Sequence, residues 1–142
     1  MKKQMKKIVA VLLMLTLSFS LFTVLVHAEG PAKSKYYASV QTNAAVYSGV
    51  LGITNHYLIT GEGFTSAEIH TYVERRVLGI FWFKVDNGQS DNTWIALTNL
   101  KNYTKTYSLT LPQTGTYRVT AEYTFYGSYG SESLTKQHTV TY

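Results

Sequence analysis

The residues best placed to do chemistry in this sequence are a carboxylate and an imidazole two positions apart. Glu68 and His70 have the same parity in a segment that predicts a β-strand, so their side chains share one face at a spacing of about 7 Å. Such a pair can act as an acid and a base or supply two metal ligands. No HExxH motif accompanies it, and only His56 and His138 remain as further imidazole candidates. Because charged pairs are common on solvated strand faces, the sequence favours a surface pair.

Other chemical motifs are weaker. Residues 86–92 are rich in oxygen ligands, but they lack the alternating carboxylates and the closing Glu of a calcium loop, so turn chemistry explains them better. The chain contains no cysteine, which excludes thiolate catalysis, a zinc–thiolate site and a disulfide framework. No Gly-x-Ser-x-Gly motif is present either. We therefore predict that the protein is not an enzyme and that it uses no metal or cofactor.

Aromatic side chains are the remaining candidates for a site. The densest group is Phe81, Trp82 and Phe83, in which strand alternation places Phe81 and Phe83 on one face and Trp82 on the other. Either this strand packs both faces into the core, or one face forms an exposed binding patch. Tyr126 and Tyr129, at the last predicted hairpin, are further exposed candidates. Since aromatic side chains are frequent anchors in binding sites, these five are the predicted binding residues, with Trp82 and at least one of the two phenylalanines in a face for a cell-wall glycan or another surface protein.

The elements that carry these residues all have the character of β-strands. Residues 116–126 alternate strictly, with Tyr117, Val119 and Tyr123 on the apolar face, as a half-buried strand requires. Turn residues separate the alternating segments, and no helical period is present. The predicted strands are 39–45, 55–62, 68–76, 80–85, 93–97, 107–111, 116–126 and 132–142.

Three details of these strands carry specific expectations. Leu78 and Gly79 predict the turn between the third and fourth strands, and residues 127–130 predict a tight hairpin before the last strand. In that last strand Lys136 and His138 fall on the parity of the apolar residues. This predicts either a β-bulge or an exposed edge.

Residues 109–121 resemble the corner between strands E and F of immunoglobulin-like and fibronectin-type-III-like sandwiches. The resemblance makes Tyr117 the corner tyrosine, with its hydroxyl bonded to the backbone a few residues upstream. The chain is also similar to small uncharacterised exported proteins of Gram-positive bacteria. The similarity lies in residues 74–76 (Glu-Arg-Arg), Trp82 and the Gly-x-Tyr-Arg-Val segment at 115–119. The resemblance implies an all-β fold, an antiparallel immunoglobulin-like β-sandwich of about seven or eight strands.

The N-terminus predicts export. Four lysines within the first seven residues precede an apolar run at 8–26, which ends in a small-residue cleavage pattern at Ala28. Residues 1–28 are therefore a predicted signal peptide in helical form, residues 29–35 a linker and residues 36–142 a single sandwich domain. The alternative is that the apolar run is retained as a membrane anchor with the domain outside.

Removing the signal changes the charge. Of the 13 basic side chains, four belong to residues 1–28, which leaves nine against eight acidic ones. A balance of +1 predicts no attraction to nucleic acid, and contact with a membrane only through a retained anchor. The sequence predicts a secreted, non-enzymatic interaction or cell-surface module, and as the alternative a small bacteriocin-like or toxin-like effector that acts on another cell.

Overall fold

The computed structural model describes residues 33–142, and within them the protein is all-β. The eight strands are β1 (Tyr37–Tyr47), β2 (Val50–Ile59), β3 (Phe64–Val77), β4 (Phe81–Lys84), β5 (Trp94–Thr98), β6 (Asn102–Thr110), β7 (Thr116–Gly127) and β8 (Gly130–Thr141). A short 3-10 turn at Ser90–Asn92 is the one helical element of the described part. That part has no helix long and apolar enough to cross a membrane. The predicted signal helix and its cleavage site lie outside the described residues.

The strands form two antiparallel sheets. The small sheet has the order β1-β2-β6, and the large sheet has the order β4-β3-β7-β8 with β5 also paired to β3. Strand β3 is central to the large sheet, because it pairs with β7 along one side and with both β5 and β4 along the other. Antiparallel all-β architecture and eight strands are confirmed.

The two sheets pack on each other through two apolar clusters. The first contains Tyr57 of the small sheet together with Ile69 and Phe125 of the large sheet, and the second joins Ile53 to Val73 in the same way. Residues 34–142 form one compact unit that contains both clusters. A segment with its own complete core can fold by itself.

A polar layer separates the two clusters. Asn55 is fully buried, and its amide donates to the Thr71 hydroxyl at 2.7 Å across the two sheets. The Asn55 carbonyl oxygen accepts from Thr42 at 3.1 Å, and Thr42 in turn contacts the hydroxyl of Tyr123 at 2.8 Å. Because buried polar groups are costly without partners, this layer permits one alignment of the sheets.

Two strands begin earlier than the sequence predicts, because a polar residue lies at an inward position in each. β2 begins at Val50 rather than at 55, because Asn55 interrupts the alternation of Leu51, Ile53 and Tyr57 while pointing into the same core. β6 begins at Asn102 rather than at 107, since Lys105 occupies an inward parity directly opposite Asn55 at the edge of the small sheet.

The specific expectations for the strands had different outcomes. The Leu78–Gly79 turn and the tight hairpin at 127–130 are both present, with Gly127 paired to Gly130. β8 is an exposed edge strand around Lys136, and its pairing with β7 runs without a register shift, so the predicted alternative of a bulge is wrong. The hydroxyl of Tyr117 donates to the Gln113 carbonyl at 2.5 Å, four residues upstream, which confirms the expected corner hydrogen bond.

Candidate functional site

The turn of the hairpin that joins β3 to β4 has a leucine in the left-handed backbone region. Its central residues, Leu78 and Gly79, both have positive φ, 52° and 74°, and the Ile80 N–H donates to the Val77 carbonyl at 3.2 Å. Paired positive φ is the pattern of a type I′ turn, which favours Asn, Asp or Gly. Leucine is strained there, because its Cβ crowds the following carbonyl in the left-handed region. Backbone strain of this kind is common at functional sites.

The same hairpin exposes four large apolar side chains within six residues. Leu78 is 85% exposed, Ile80 68%, Phe81 52% and Phe83 58%. The two phenylalanine rings lie 6.4 Å apart. We call residues 77–84 the apolar hairpin. Contiguous exposed apolar surface on a small domain is typical of an interaction site.

Register explains why the phenylalanines are exposed. Phe83 pairs with Arg75 and Phe81 pairs with Val77, so both rings lie on the core-facing side of β4. β4 is the edge strand there, and the buried core on that side ends near Val73 and Val85. The alternative that both faces of this segment pack into the core is therefore wrong.

Trp82 occupies the opposite face and is half-buried. The Arg118 guanidinium lies 4.3 Å from its ring centroid and that of Arg76 lies 5.9 Å away, which are cation–π distances. Glu74 accepts from two nitrogens of Arg118, at 2.7 and 2.9 Å, and neutralises that arginine. Trp82 therefore supports the apolar hairpin from one side rather than standing free.

Two arginines at the base of the apolar hairpin carry uncompensated charge. Arg75 pairs with Phe83 and Arg76 pairs with Trp82, so each faces an aromatic residue across the ladder. In residues 33–142 neither arginine forms a salt bridge. The base of the hairpin therefore has a local positive charge that the overall balance of the chain conceals.

The structure does not bring all five predicted binding residues together. Tyr126 pairs with Ser66 and Trp82 pairs with Arg76, ten residues farther along β3, a separation of about 33 Å. Tyr126 is 39% exposed and donates to Glu68 at 3.2 Å, and Tyr129 stacks on Tyr36 at 6.5 Å. The aromatic cluster and the two further tyrosine candidates therefore lie at opposite ends of β3.

Sequence reasoning missed Leu78, Ile80 and the two arginines as site residues. The sequence predicts only a turn at Leu78, although a leucine at a position that favours Asn or Gly indicates a role beyond the turn. The arginines could not be found from charge counting, because their isolation from acidic groups depends on the pairing of β3 with β4 and β7.

Glu68 and His70 do come together, at the rim of a cleft on the outer face of the large sheet. The His70 Nε2 lies 2.5 Å from a carboxylate oxygen of Glu68, and this hydrogen bond, above all, lowers the pKa of Glu68. The cleft, with a volume of about 430 Å³, lies where the loop between β4 and β5 faces Tyr72. No hydroxyl within residues 33–142 is hydrogen-bonded to His70, so the described part shows no nucleophile–base pair.

Internal contacts account for the other polar groups of the cleft. The Lys84 ammonium donates to Asp91 and Thr93 at 3.0–3.1 Å and lies 4.8 Å above the Tyr72 ring. Lys84 thereby holds the loop between β4 and β5 against the large sheet. Asp86 and Asn87 accept from the backbone two residues ahead, which confirms the turn chemistry predicted for residues 86–92. Within the described residues, no three His, Asp or Glu side chains are grouped so as to hold a metal.

Comparison with other proteins adds no assignment. No known protein family matches the chain, and no curated protein matches it either.

Proposed function

We propose that the protein is a secreted, non-enzymatic interaction module with an immunoglobulin-like sandwich fold, and that it binds its partner through the apolar hairpin. The observation that carries the proposal is the exposure of Leu78, Ile80, Phe81 and Phe83 on one hairpin, whose turn is strained at Leu78. Burying one such side chain contributes at most about 1.5–3 kcal/mol. Four of them offer enough free energy to offset a substantial part of the cost of association.

Strand order and one hydrogen bond support the immunoglobulin-like assignment. The orders β1-β2-β6 and β4-β3-β7-β8 correspond to strands A, B and E and to strands C′, C, F and G of such sandwiches. Tyr117, near the start of β7, makes the corner hydrogen bond. β5 departs from the antibody pattern, because it pairs with β3 instead of lying beside β6.

Export is supported by the sequence of residues 1–28, with its four lysines, apolar run and Ala28. Mass spectrometry of protein from culture medium tests this part of the proposal. We expect a first residue directly after Ala28. If the whole chain were found only in membranes, the protein would be anchored rather than secreted.

The binding role is tested by co-sedimentation with envelope material of the producing organism, using a chain that begins at residue 29. The test variant is Leu78→Ser with Ile80→Ser. The matched control is Ile95→Ser with Leu97→Ser on β5, which changes the same two residue types at 58% and 73% exposure. We expect the hairpin variant to bind at least tenfold more weakly, since two apolar anchors are removed, and the control to bind like the parent.

The opposite pattern, with loss in the β5 variant alone, would place the site on the outer face of the large sheet. Equal binding by all three proteins would refute a role for the hairpin. Circular dichroism of each variant establishes that the fold is retained.

A further inference from the structure

We propose that the partner of the apolar hairpin is an anionic lipid bilayer surface. The hairpin tip inserts among the lipids, and Arg75 and Arg76 bind the acidic headgroups. This inference rests on the proposed binding role of the hairpin and specifies its partner.

The distribution of apolar side chains around the hairpin favours a bilayer over a protein surface. Leu78 and Ile80 lie at the tip, Phe81 and Phe83 lie on one face, and Trp82 lies on the other. A flat protein surface covers one face of a projecting hairpin, whereas lipids surround it on every side. Exposed apolar side chains at the tip and on the Phe81 and Phe83 face, with basic side chains over Trp82 on the other face, match the second geometry.

The dimensions of the hairpin also match shallow insertion. Phe83 lies two residues along β4 from Phe81, about 7 Å, and the turn extends beyond Phe81. Interfacial amphipathic helices bury their apolar face about 5–10 Å into the boundary between headgroups and acyl chains, a depth that the hairpin tip can reach. Leu78, Ile80 and Phe81 would then lie among the acyl chains, with Phe83 near their upper boundary.

The charges lie at the level where headgroups begin. Arg75 is directly opposite Phe83, on the core-facing side and beside the Gln113 side chain, and Arg76 is directly opposite Trp82, on the outer face. Arg76 is exposed and Arg75 half-buried, and long basic side chains can extend to the polar layer while their stems cover apolar groups. The one acidic side chain in this part of the ladder, Glu74, is bound to Arg118.

The position of these arginines changes the expectation about membranes that follows from net charge alone. A balance of +1 for residues 29–142 predicts no attraction to an anionic membrane. Attraction depends on charge near the contact, because fields between exposed groups fall off within about 8–10 Å at physiological salt. Two uncompensated arginines at the insertion site outweigh distant acidic groups.

Vesicle co-sedimentation tests the proposal with the chain that begins at residue 29. The probes are vesicles of phosphatidylglycerol mixed with phosphatidylcholine, and vesicles of phosphatidylcholine alone. The variants are Leu78→Ser with Ile80→Ser, Arg75→Gln with Arg76→Gln, and the β5 control Ile95→Ser with Leu97→Ser. Circular dichroism again excludes unfolding.

We expect the parent to bind the phosphatidylglycerol vesicles at least tenfold more tightly than the neutral ones, since each basic residue near an anionic surface contributes about fivefold. The serine hairpin variant should lose at least tenfold on both vesicles. The arginine variant should lose the preference for phosphatidylglycerol, and the control should match the parent. In brominated lipids, quenching of tryptophan fluorescence should accompany binding by the parent.

Three outcomes overturn the proposal. They are absence of binding to phosphatidylglycerol vesicles, equal binding by the serine hairpin variant, and equal binding to both vesicle types. If the hairpin variant loses envelope binding while the parent ignores vesicles, the hairpin remains the binding site and its partner is a protein or glycan. If envelope binding is also unaffected by the hairpin variant, the proposed function fails as well.

Discussion

Replacing Leu78 by asparagine should stabilise the domain and weaken its binding. Leu78 has φ 52° and is 85% exposed, so its side chain contributes strain and little burial. Asparagine populates the left-handed region far more readily than leucine. The prediction therefore separates the needs of the fold from those of the site.

The magnitude follows from the cost of the left-handed conformation. That cost is about 1–2 kcal/mol for an ordinary residue, and asparagine recovers part of it. We expect Leu78→Asn to raise the free energy of unfolding by about 0.5–1 kcal/mol, which corresponds to about 2–6 °C in the midpoint temperature for a domain of this size. Thermal and denaturant unfolding, followed by circular dichroism, measure both quantities.

A second hairpin provides the control. In the turn between β1 and β2, Ser48 and Gly49 have φ 49° and 77°, nearly the values of Leu78 and Gly79. Ser48→Asn should stabilise through the same conformational preference while leaving envelope binding unchanged. A loss of about 1 kcal/mol or more in Leu78→Asn would show that the leucine makes stabilising contacts, and the strain argument would be wrong.

The remaining predictions concern the core. Tyr117→Phe should cost about 1–2 kcal/mol in denaturant unfolding by removing the corner hydrogen bond. The control Tyr107→Phe should cost nothing, since that buried hydroxyl has no partner within residues 33–142, and equal effects would refute the corner argument. Asn55→Ala should lower the free energy of unfolding by about 2–4 kcal/mol, because it removes the hydrogen bonds to Thr42 and Thr71. A loss below about 1 kcal/mol would contradict the role of the polar layer. Burial raises the pKa of Tyr57, Tyr107 and Tyr123 to about 12, so these groups keep protons that the unfolded chain releases near pH 10. The free energy of unfolding should therefore fall as pH rises from about 10 towards 12. In a near-ultraviolet titration of the folded protein, these three tyrosines should ionise at higher pH than they do in the denatured protein. Ionisation of every tyrosine near pH 10 while the protein is still folded would contradict this.

Strands whose polar and apolar residues alternate strictly could be predicted from the sequence, and strands stabilised by tertiary hydrogen bonds could not. The predicted strand 116–126 lies within β7, because every inward residue from Tyr117 to Phe125 is apolar. The first half of β2 could not be predicted from the sequence, because Asn55, a polar residue, lies at an inward position that the pattern expects to be apolar. Its burial depends on Thr71 in the opposite sheet, a partner that local pattern does not reveal.

The candidate site shows the same limit. The exposure of Phe81 and Phe83 follows from an edge strand with apolar residues on both faces, which the sequence could indicate. Separation of Tyr126 from Trp82 depends on the long-range register of β7 against β3. The positive charge of Arg76 is uncompensated because Glu74 is bound to Arg118, a contact between residues 44 positions apart.

Site-specific labelling measures the central claim, that the apolar hairpin is the contact surface. The chain contains no cysteine, so Ile80→Cys, Leu97→Cys and Tyr129→Cys each give one site for a polarity-sensitive fluorophore. On addition of envelope material, the label at position 80 should shift its emission to the blue as it leaves water, and the labels at 97 and 129 should not change. A blue shift at 97 or 129 with none at 80 would contradict the account.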